Sequence, residues 1–87
     1  MAKGEAYKQL GEYLKRRNKE RIILTFEQIE GIIGRILPQS AYKHPEPWWS
    51  NNYEHSQAIA WMDAGYETDF VTDTYALHKI IFCKITI

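Results

Sequence analysis

The chain has 87 residues, 45% of them hydrophobic, and it carries no net charge at neutral pH. This length suits a single small domain, residues 1–87, whose core would draw on three Trp, six Tyr and three Phe. No apolar run approaches the ~18 residues of a membrane span, and one cysteine excludes an internal disulfide. Because the N-terminal residues also lack an apolar signal segment, we expect a cytoplasmic protein with no membrane partner.

The charges are unevenly distributed along the chain. Residues 1–21 hold seven Lys or Arg and three Glu, a net charge of +4, whereas residues 45–76 hold six Asp or Glu and no Lys or Arg, a net charge of −6. The positive region ends in a basic cluster: Lys15, Arg16, Arg17, Lys19 and Arg21. Such a cluster is typical of a solvated helix end, where the helix dipole favours cations, but it also suits contacts with phosphates.

The first half of the chain predicts two helices joined by a short strand. Residues 4–17 have the apolar spacing of an amphipathic helix, and the β-branched residues 21–24 are typical of a strand. Thr25 and Gln28 have the spacing of a capping box that begins the second helix, and Gly34 is suited to end it. The buried stripes are predicted to be Tyr7, Leu10 and Leu14 in the first helix and Ile29, Ile32, Ile33 and Ile36 in the second.

Residues 37–52 contain all three prolines and predict a rigid junction between helices. Pro38 suits the start of a short helical turn, because its missing N–H is not needed there. Pro45 and Pro47 are expected to hold the chain extended, since a proline disfavours the helical conformation in the residue before it.

The junction also contains the adjacent residues Trp48 and Trp49. Core packing is the more common role of such side chains, and an exposed platform for a base or a partner is the alternative. Adjacent residues of an extended segment point in opposite directions. We therefore expect one tryptophan inside the protein and the other at least partly outside.

The last part of the chain predicts a helix followed by a β-hairpin. Asn51 is placed to cap the helix, which would run to about Ala64 and end at Gly65. The hairpin would consist of strands over residues 68–72 and 77–87, and the inward-facing residues of the second strand would be Ile81, Cys83, Ile85 and Ile87. The predicted fold is α+β and winged-helix-like, with three main helices, a short helical turn and a two- or three-stranded antiparallel sheet at the C-terminus.

The expected core combines the apolar stripes of these elements. Its predicted members are Tyr7, Leu10, Leu14, Leu24, Phe26, Ile29, Ile32, Ile33, Leu37, Ala58, Trp61, Phe70, Ile81 and Cys83.

The motifs YxxLxxYL, LTFxxIExIIG, LPxSA, WWxNN, HSQAxAW and AGY follow one another from residue 7 to residue 66. With this set the chain resembles a family of small bacterial domains of unknown function, and the resemblance extends to about Phe82. It implies family membership without a mechanism. The signature positions that it suggests are Leu37, Pro38, Ser40, Ala41, Trp48, Trp49, Asn51, His55, Trp61, Ala64 and Gly65.

The sequence offers no motif for catalysis, a metal or a cofactor. Four residues could ligate a metal: His44, His55, His78 and Cys83. Their spacing does not match that of a strong metal motif. The run Glu54-His55-Ser56 does not make a catalytic triad, because consecutive helical residues point about 100° apart. We therefore expect a non-enzymatic binding domain without a cofactor.

Two kinds of partner remain open. For a nucleic acid, the expected contacts are Lys15, Arg16, Arg17, Lys19 and Arg21 to phosphates, with Lys43, Trp48 or Trp49, and Asn52 at or beside bases. The acidic region opposes this function, since carboxylates repel phosphates. For a protein target, the acidic residues Glu67, Asp69 and Asp73 would bind together with Trp48. A phage-borne inhibitor of a bacterial defence nuclease, mimicking phosphate charge, would fit that description.

Overall fold

The computed structural model of the protein describes residues 7–69 and 77–85. Over these residues the chain forms five helices and a three-stranded antiparallel sheet, which confirms the α+β class. In chain order the elements are α1 (Lys8–Arg17), β1 (Arg21–Thr25), α2 (Phe26–Ile33), α3 (Gln39–Lys43), α4 (Pro45–Trp48), α5 (Ser56–Asp63), β2 (Tyr66–Asp69) and β3 (Lys79–Lys84). None of the helices formed by the described residues has the length and hydrophobicity of a membrane span.

Local sequence signals set the ends of α2. The backbone N–H of Gln28 donates to the Thr25 hydroxyl oxygen (3.0 Å), and the backbone N–H of Thr25 donates to the Gln28 side-chain oxygen (2.8 Å). The predicted capping box is therefore confirmed. Gly34 ends the helix with φ 73°, and Gly65 follows α5 with φ 87°, so both glycines occupy backbone conformations that other residues rarely adopt.

The prediction of an extended chain at Pro45 and Pro47 is wrong, because both residues lie in the short helix α4. Its hydrogen bonds include the Trp49 N–H donating to the Pro45 carbonyl (2.9 Å). The first N–H groups of a helix have no partner within it, so two prolines in the first turn cost no hydrogen bond. The helical turn predicted after Pro38 is confirmed as α3.

Two other helix predictions are also wrong. The helix after the junction begins at Ser56 rather than near Asn51, and its first flanking residue, His55, makes no side-chain capping bond. Ile36 does not extend the buried stripe of α2, because the helix has already ended at Gly34 and the side chain is 84% exposed.

The three strands are arranged in the order β1-β3-β2, with antiparallel neighbours. Strand β2 begins at Tyr66, two residues before the predicted start, and the predicted turn at 73–76 lies outside the described residues. Helices α1, α2 and α5 precede this β2–β3 pair in the order that predicted a winged-helix-like arrangement. Assignment to that particular fold remains a prediction.

The alternation predicted for β3 has the wrong phase. Ile80 and Phe82 are fully buried, whereas Cys83 is half-buried and Ile85 is 40% exposed. Ile81 is buried as predicted, although it is on the opposite face of the strand. Residues 80–83 form a continuous apolar run, so the sequence contains no alternation from which to read the phase. Pairing with the inward-facing residues of β1 sets it instead.

The core is more aromatic than predicted. Ten of the predicted core residues are buried: Leu10, Leu14, Leu24, Phe26, Ile29, Ile33, Leu37, Ala58, Trp61 and Ile81. Six further buried apolar residues were not among the named core members: Ile22, Ala41, Trp49, Tyr66, Ile80 and Phe82. Tyr7, Ile32 and Cys83 are half-buried, and Phe70 and Ile87 lie outside the described residues.

Helices α1 and α5 are in close contact at Gly11. A Cβ atom built on Gly11 would lie 2.6 Å from the carbonyl oxygen of Ala60, closer than real Cβ atoms come. The glycine therefore allows the two helices to pack backbone against backbone. Helix propensity alone would indicate only that a glycine here weakens α1.

Candidate functional site

An open groove of about 410 Å³ lies where the junction meets the start of α5. Among the described residues, its lining consists of Ser40 on α3, His44 between α3 and α4, Pro47 and Trp48 on α4, and His55 and Gln57 at the start of α5. We call it the Trp48 groove. None of these six residues is acidic, and every one except Pro47 has a side chain that can form hydrogen bonds.

Trp48 is held in place on several sides. Its ring meets the ring of Tyr7 edge-to-face, with centroids 5.9 Å apart, and that of Trp49 in the same way at 4.5 Å. The Gln57 side-chain amide donates to the Trp48 carbonyl (2.9 Å). The side chain is half-buried, so part of a fixed aromatic surface lines the groove.

Trp49 is fully buried and has a structural role. Its ring stacks between those of Phe26 and Trp61, with centroid distances of 5.0 and 5.7 Å, and its indole N–H donates to the Ala41 carbonyl (3.1 Å). The prediction of one tryptophan inside and one partly outside is confirmed. Trp49 cannot contact a ligand from this position. Of the two tryptophans predicted as possible base contacts, only Trp48 remains a candidate.

Asn51 joins the junction to the sheet. Its side-chain oxygen accepts hydrogen bonds from the Trp61 indole N–H (3.0 Å) and the Thr68 backbone N–H (2.8 Å), and its amide donates to the Thr68 carbonyl (3.1 Å). The Thr68 hydroxyl in turn donates to the Trp49 carbonyl. Asn51 therefore fixes the segment that carries both tryptophans, instead of capping a helix as predicted.

The His55 side chain approaches Ser50 at the edge of the groove. The Ser50 hydroxyl donates to the Pro47 carbonyl (2.8 Å), and its oxygen is 3.5 Å from Nδ1 of His55. Because the only hydrogen of the hydroxyl is used, the serine oxygen can act only as an acceptor toward the ring. A hydrogen on Nδ1 of His55 fits this contact, and in that tautomer Nε2 is an acceptor.

The basic cluster lies at the other end of α1 from the groove. All five of its residues are exposed: Lys15, Arg16, Arg17, Lys19 and Arg21. Trp48 contacts Tyr7 just before the first turn of α1, whereas Arg16 is in the last turn. Nine residues of helix rise correspond to about 13 Å. The structure therefore does not bring the basic cluster and Trp48 into one compact site.

The remaining residues predicted to contact nucleic acid are near the junction. Lys43 is exposed and directly precedes His44, a residue of the groove lining. Asn52 is also exposed, and its side-chain oxygen accepts a hydrogen bond from the Glu54 backbone N–H (2.9 Å). Five lining residues were not predicted as contacts: Ser40, His44, Pro47, His55 and Gln57. Ser40 occurs in the LPxSA motif and Gln57 in the HSQAxAW motif. These motifs are the sequence features that could have indicated the two residues.

The acidic residues predicted to bind a protein lie along β2, an edge strand of the sheet. Glu67 and Asp69 are exposed, and they alternate with the buried residues Tyr66 and Thr68, so their side chains point away from the core. Asp73 lies outside the described residues.

Two tyrosines near the junction have raised pKa values. Burial, a hydrogen bond to the Glu30 carboxylate and the negative charges of Glu30 and Glu27 raise the pKa of Tyr42 to about 12. Burial also raises the pKa of Tyr7, against the opposing effect of the Arg35 charge. Both phenols are therefore neutral hydrogen-bonding groups at physiological pH.

Within residues 7–69 and 77–85, no three His, Cys, Asp or Glu side chains come together as a metal site would require. His78 is instead stacked on Phe26, with centroids 5.4 Å apart, and lies edge-to-face against Tyr42. The absence of a metal, a cofactor and catalysis remains a prediction from the sequence.

The described fold and groove define a small α+β domain built around an aromatic junction. The chain belongs to the family described as domain of unknown function DUF7662, whose model matches residues 7–80. This confirms the family of unknown function that the motifs indicated. No curated protein and no solved structure matches the chain.

Proposed function

We propose that this protein is a non-enzymatic, cytoplasmic domain that binds nucleic acid. One observation carries the proposal: a fixed, half-buried indole, that of Trp48, lines an open groove together with hydrogen-bonding side chains, and no carboxylate is among the described lining residues. Aromatic side chains of this kind stack on bases, and neighbouring polar groups contact base edges or the backbone.

The basic cluster near the end of α1 is exposed, which supports phosphate contacts there. The acidic strand lies close by in the sheet, because Arg21 of β1 and Glu67 of β2 both pair with Cys83 of β3. Because about 13 Å of helix separates Arg16 from the Trp48 end of α1, a nucleic acid that contacts both regions spans roughly four nucleotides at the 3.4 Å rise of a B-form strand. The cluster would supply salt-dependent affinity, and the groove would supply contacts to bases.

The winged-helix-like order of elements is the second support. In winged-helix and helix-turn-helix domains, the helix that follows the turn carries contacts to nucleic acid. Here that helix is α5, and its N-terminal residues His55 and Gln57 line the groove. The short helices α3 and α4 replace a simple turn and contribute the rest of the lining.

The test is binding of labelled duplex and single-stranded DNA and RNA at several salt concentrations. Replacing Arg16 and Arg17 together by Gln should weaken binding to all sequences and reduce the slope of log K against log salt by roughly 2. The matched control replaces Glu67 by Gln and Asp69 by Asn, and it should strengthen binding slightly because repulsion is removed. Absence of binding by the parent protein at about 100 mM salt would refute the proposal.

A protein partner is the alternative proposal, favoured by the two carboxylates on the outer face of an edge strand. An adaptor or an inhibitor that mimics phosphate charge, such as a phage-borne inhibitor of a defence nuclease, would bind through Glu67 and Asp69. In that case the Glu67/Asp69 double variant loses its partner, whereas the Arg16/Arg17 double variant retains it. Recovery of one defined protein from a nuclease-treated host lysate, combined with no nucleic-acid binding, would favour this alternative.

A further inference from the structure

We infer that the Trp48 groove is a binding site for an unpaired nucleobase of a single-stranded DNA or RNA, stacked on the Trp48 indole. This inference rests on the proposed nucleic-acid-binding function and makes it specific. It assigns the base contacts to one groove, and it identifies the ligand as a single strand rather than a duplex.

The first argument is the rigidity of the platform. Edge-to-face contacts with Tyr7 and Trp49 fix the Trp48 ring, and the Gln57 amide fixes its backbone carbonyl. Trp49 is itself held by a hydrogen bond to Ala41 and by stacking on Phe26. An aromatic surface that is already ordered loses little conformational entropy when a base stacks on it.

The second argument is the chemistry around the platform. Ser40, His44, His55 and Gln57 all line the groove, and each has a side chain that can form hydrogen bonds. In the tautomer that fits the Ser50 contact, His55 presents an acceptor at Nε2. Nucleobase edges carry both donors and acceptors, so they can pair with such a lining.

The third argument is size. A volume of about 410 Å³ is at the small end of the range of ligand sites. It accommodates a single base with its sugar, whereas a paired base cannot leave its stack without the cost of unpairing. The described residues of the lining include no carboxylate, so they do not repel the phosphates attached to the bound nucleoside.

The experiment compares a single-stranded oligonucleotide with one of the same length in which every base is replaced by an abasic site. The parent protein should bind the normal strand about tenfold or more tightly than the abasic strand, because stacking on an aromatic residue contributes that much per base. Trp48→Ala should weaken binding to the normal strand by a similar factor and leave binding to the abasic strand unchanged. Trp48→Phe, which keeps an aromatic face, should bind close to the parent.

Intrinsic fluorescence gives an independent measurement. Of the three tryptophans, Trp49 and Trp61 are fully buried and Trp48 is half-buried, so quenching by a bound strand should come mainly from Trp48 and be lost in Trp48→Phe. Tyr53→Ala is the control for an exposed aromatic residue that is not part of the lining, and it should leave affinity unchanged. If Trp48→Ala does not fold, as judged by circular dichroism, His55→Ala provides the test through a loss of preference for the normal strand over the abasic strand.

The outcomes separate this inference from the proposed function. If the parent binds no nucleic acid at all, both fail. If it binds normal and abasic strands equally, or binds duplex more tightly than single strands while Trp48→Ala has no effect, the groove is not a base site and only the inference fails. Loss of binding in the Arg16/Arg17 double variant, without any effect of Trp48→Ala, would likewise overturn the inference and leave the proposed function standing.

Discussion

Replacement of Gly11 by Ala should destabilise the protein, although the same change in an ordinary helix stabilises it. Helix propensity alone favours Ala over Gly by roughly 1 kcal/mol. At Gly11, however, the new Cβ would lie 2.6 Å from the Ala60 carbonyl oxygen, a backbone atom that cannot rotate away. Either α1 or α5 must shift, and such overpacking typically costs about 1–3 kcal/mol.

The matched control is Gly31→Ala in α2. Gly31 is exposed, and a Cβ built there meets nothing within 4 Å, so this variant should gain up to about 1 kcal/mol from propensity alone. The propensity contribution is common to both substitutions. The difference between the two variants therefore isolates the close helix contact, and we expect it to be about 1–3 kcal/mol.

Urea unfolding followed by circular dichroism and by tryptophan fluorescence measures the free energy of unfolding of both variants. A net loss of about 1 kcal/mol for Gly11→Ala corresponds to a decrease in Tm of about 4–8 °C in a domain of this size. Our account of α1–α5 packing would be refuted if Gly11→Ala were as stable as Gly31→Ala. A loss confined to Gly11→Ala would confirm that the glycine is required by packing.

Three further predictions follow from the contacts around the junction and the sheet. Asn51→Ala should cost about 2 kcal/mol of unfolding free energy, because it leaves the Trp61 indole N–H and the Thr68 backbone N–H without their acceptor. Gly65→Val should cost about 1–2 kcal/mol, because a β-branched residue resists positive φ. Tyr42 keeps its proton to about pH 12 in the folded protein but to about pH 10 when unfolded, so its contribution to stability is complete below pH 10 and is lost as pH rises toward 12.

Each of these predictions has a matched control. Asn52→Ala removes only an exposed contact to a backbone N–H and should cost much less than Asn51→Ala. Gly65→Asn should be tolerated better than Gly65→Val, since Asn adopts positive φ more readily. Tyr42→Phe should show a shallower fall in stability between pH 10 and 12 than the parent. Equal losses within either pair, or equal slopes for Tyr42→Phe and the parent, would contradict the corresponding prediction.

Only part of the candidate site could be predicted from sequence patterns. The Trp-Trp pair, His55 and the surrounding motifs identified the junction as distinctive, and the expectation of one buried and one partly exposed tryptophan is confirmed. The sequence did not show which tryptophan faces the groove. That choice depends on the helical turn at Pro45, which directs Trp49 into the core between Phe26 and Trp61. Nor did it show that the basic cluster and the groove lie at opposite ends of α1.

By itself, the sequence determined the features that depend on neighbours in the chain. The capping box at Thr25, the glycine stops at Gly34 and Gly65 and the α+β order of elements all rest on local backbone chemistry, which acts over a few residues. The apolar stripes of α1 and α2 could also be predicted from the sequence. The spacing of apolar residues along a helix shows which face is buried, whatever that face packs against.

The tertiary structure decided the features that depend on distant residues. The phase of β3 was set by pairing with β1, since an apolar run does not distinguish its two faces. Asn51 does not cap a helix, because its side chain forms hydrogen bonds with Thr68, 17 residues further along the chain. Gly11 was required by α5, and the groove was assembled from three helices. In each case the deciding contact joins segments that become neighbours only when the core packs, so no local pattern could record it.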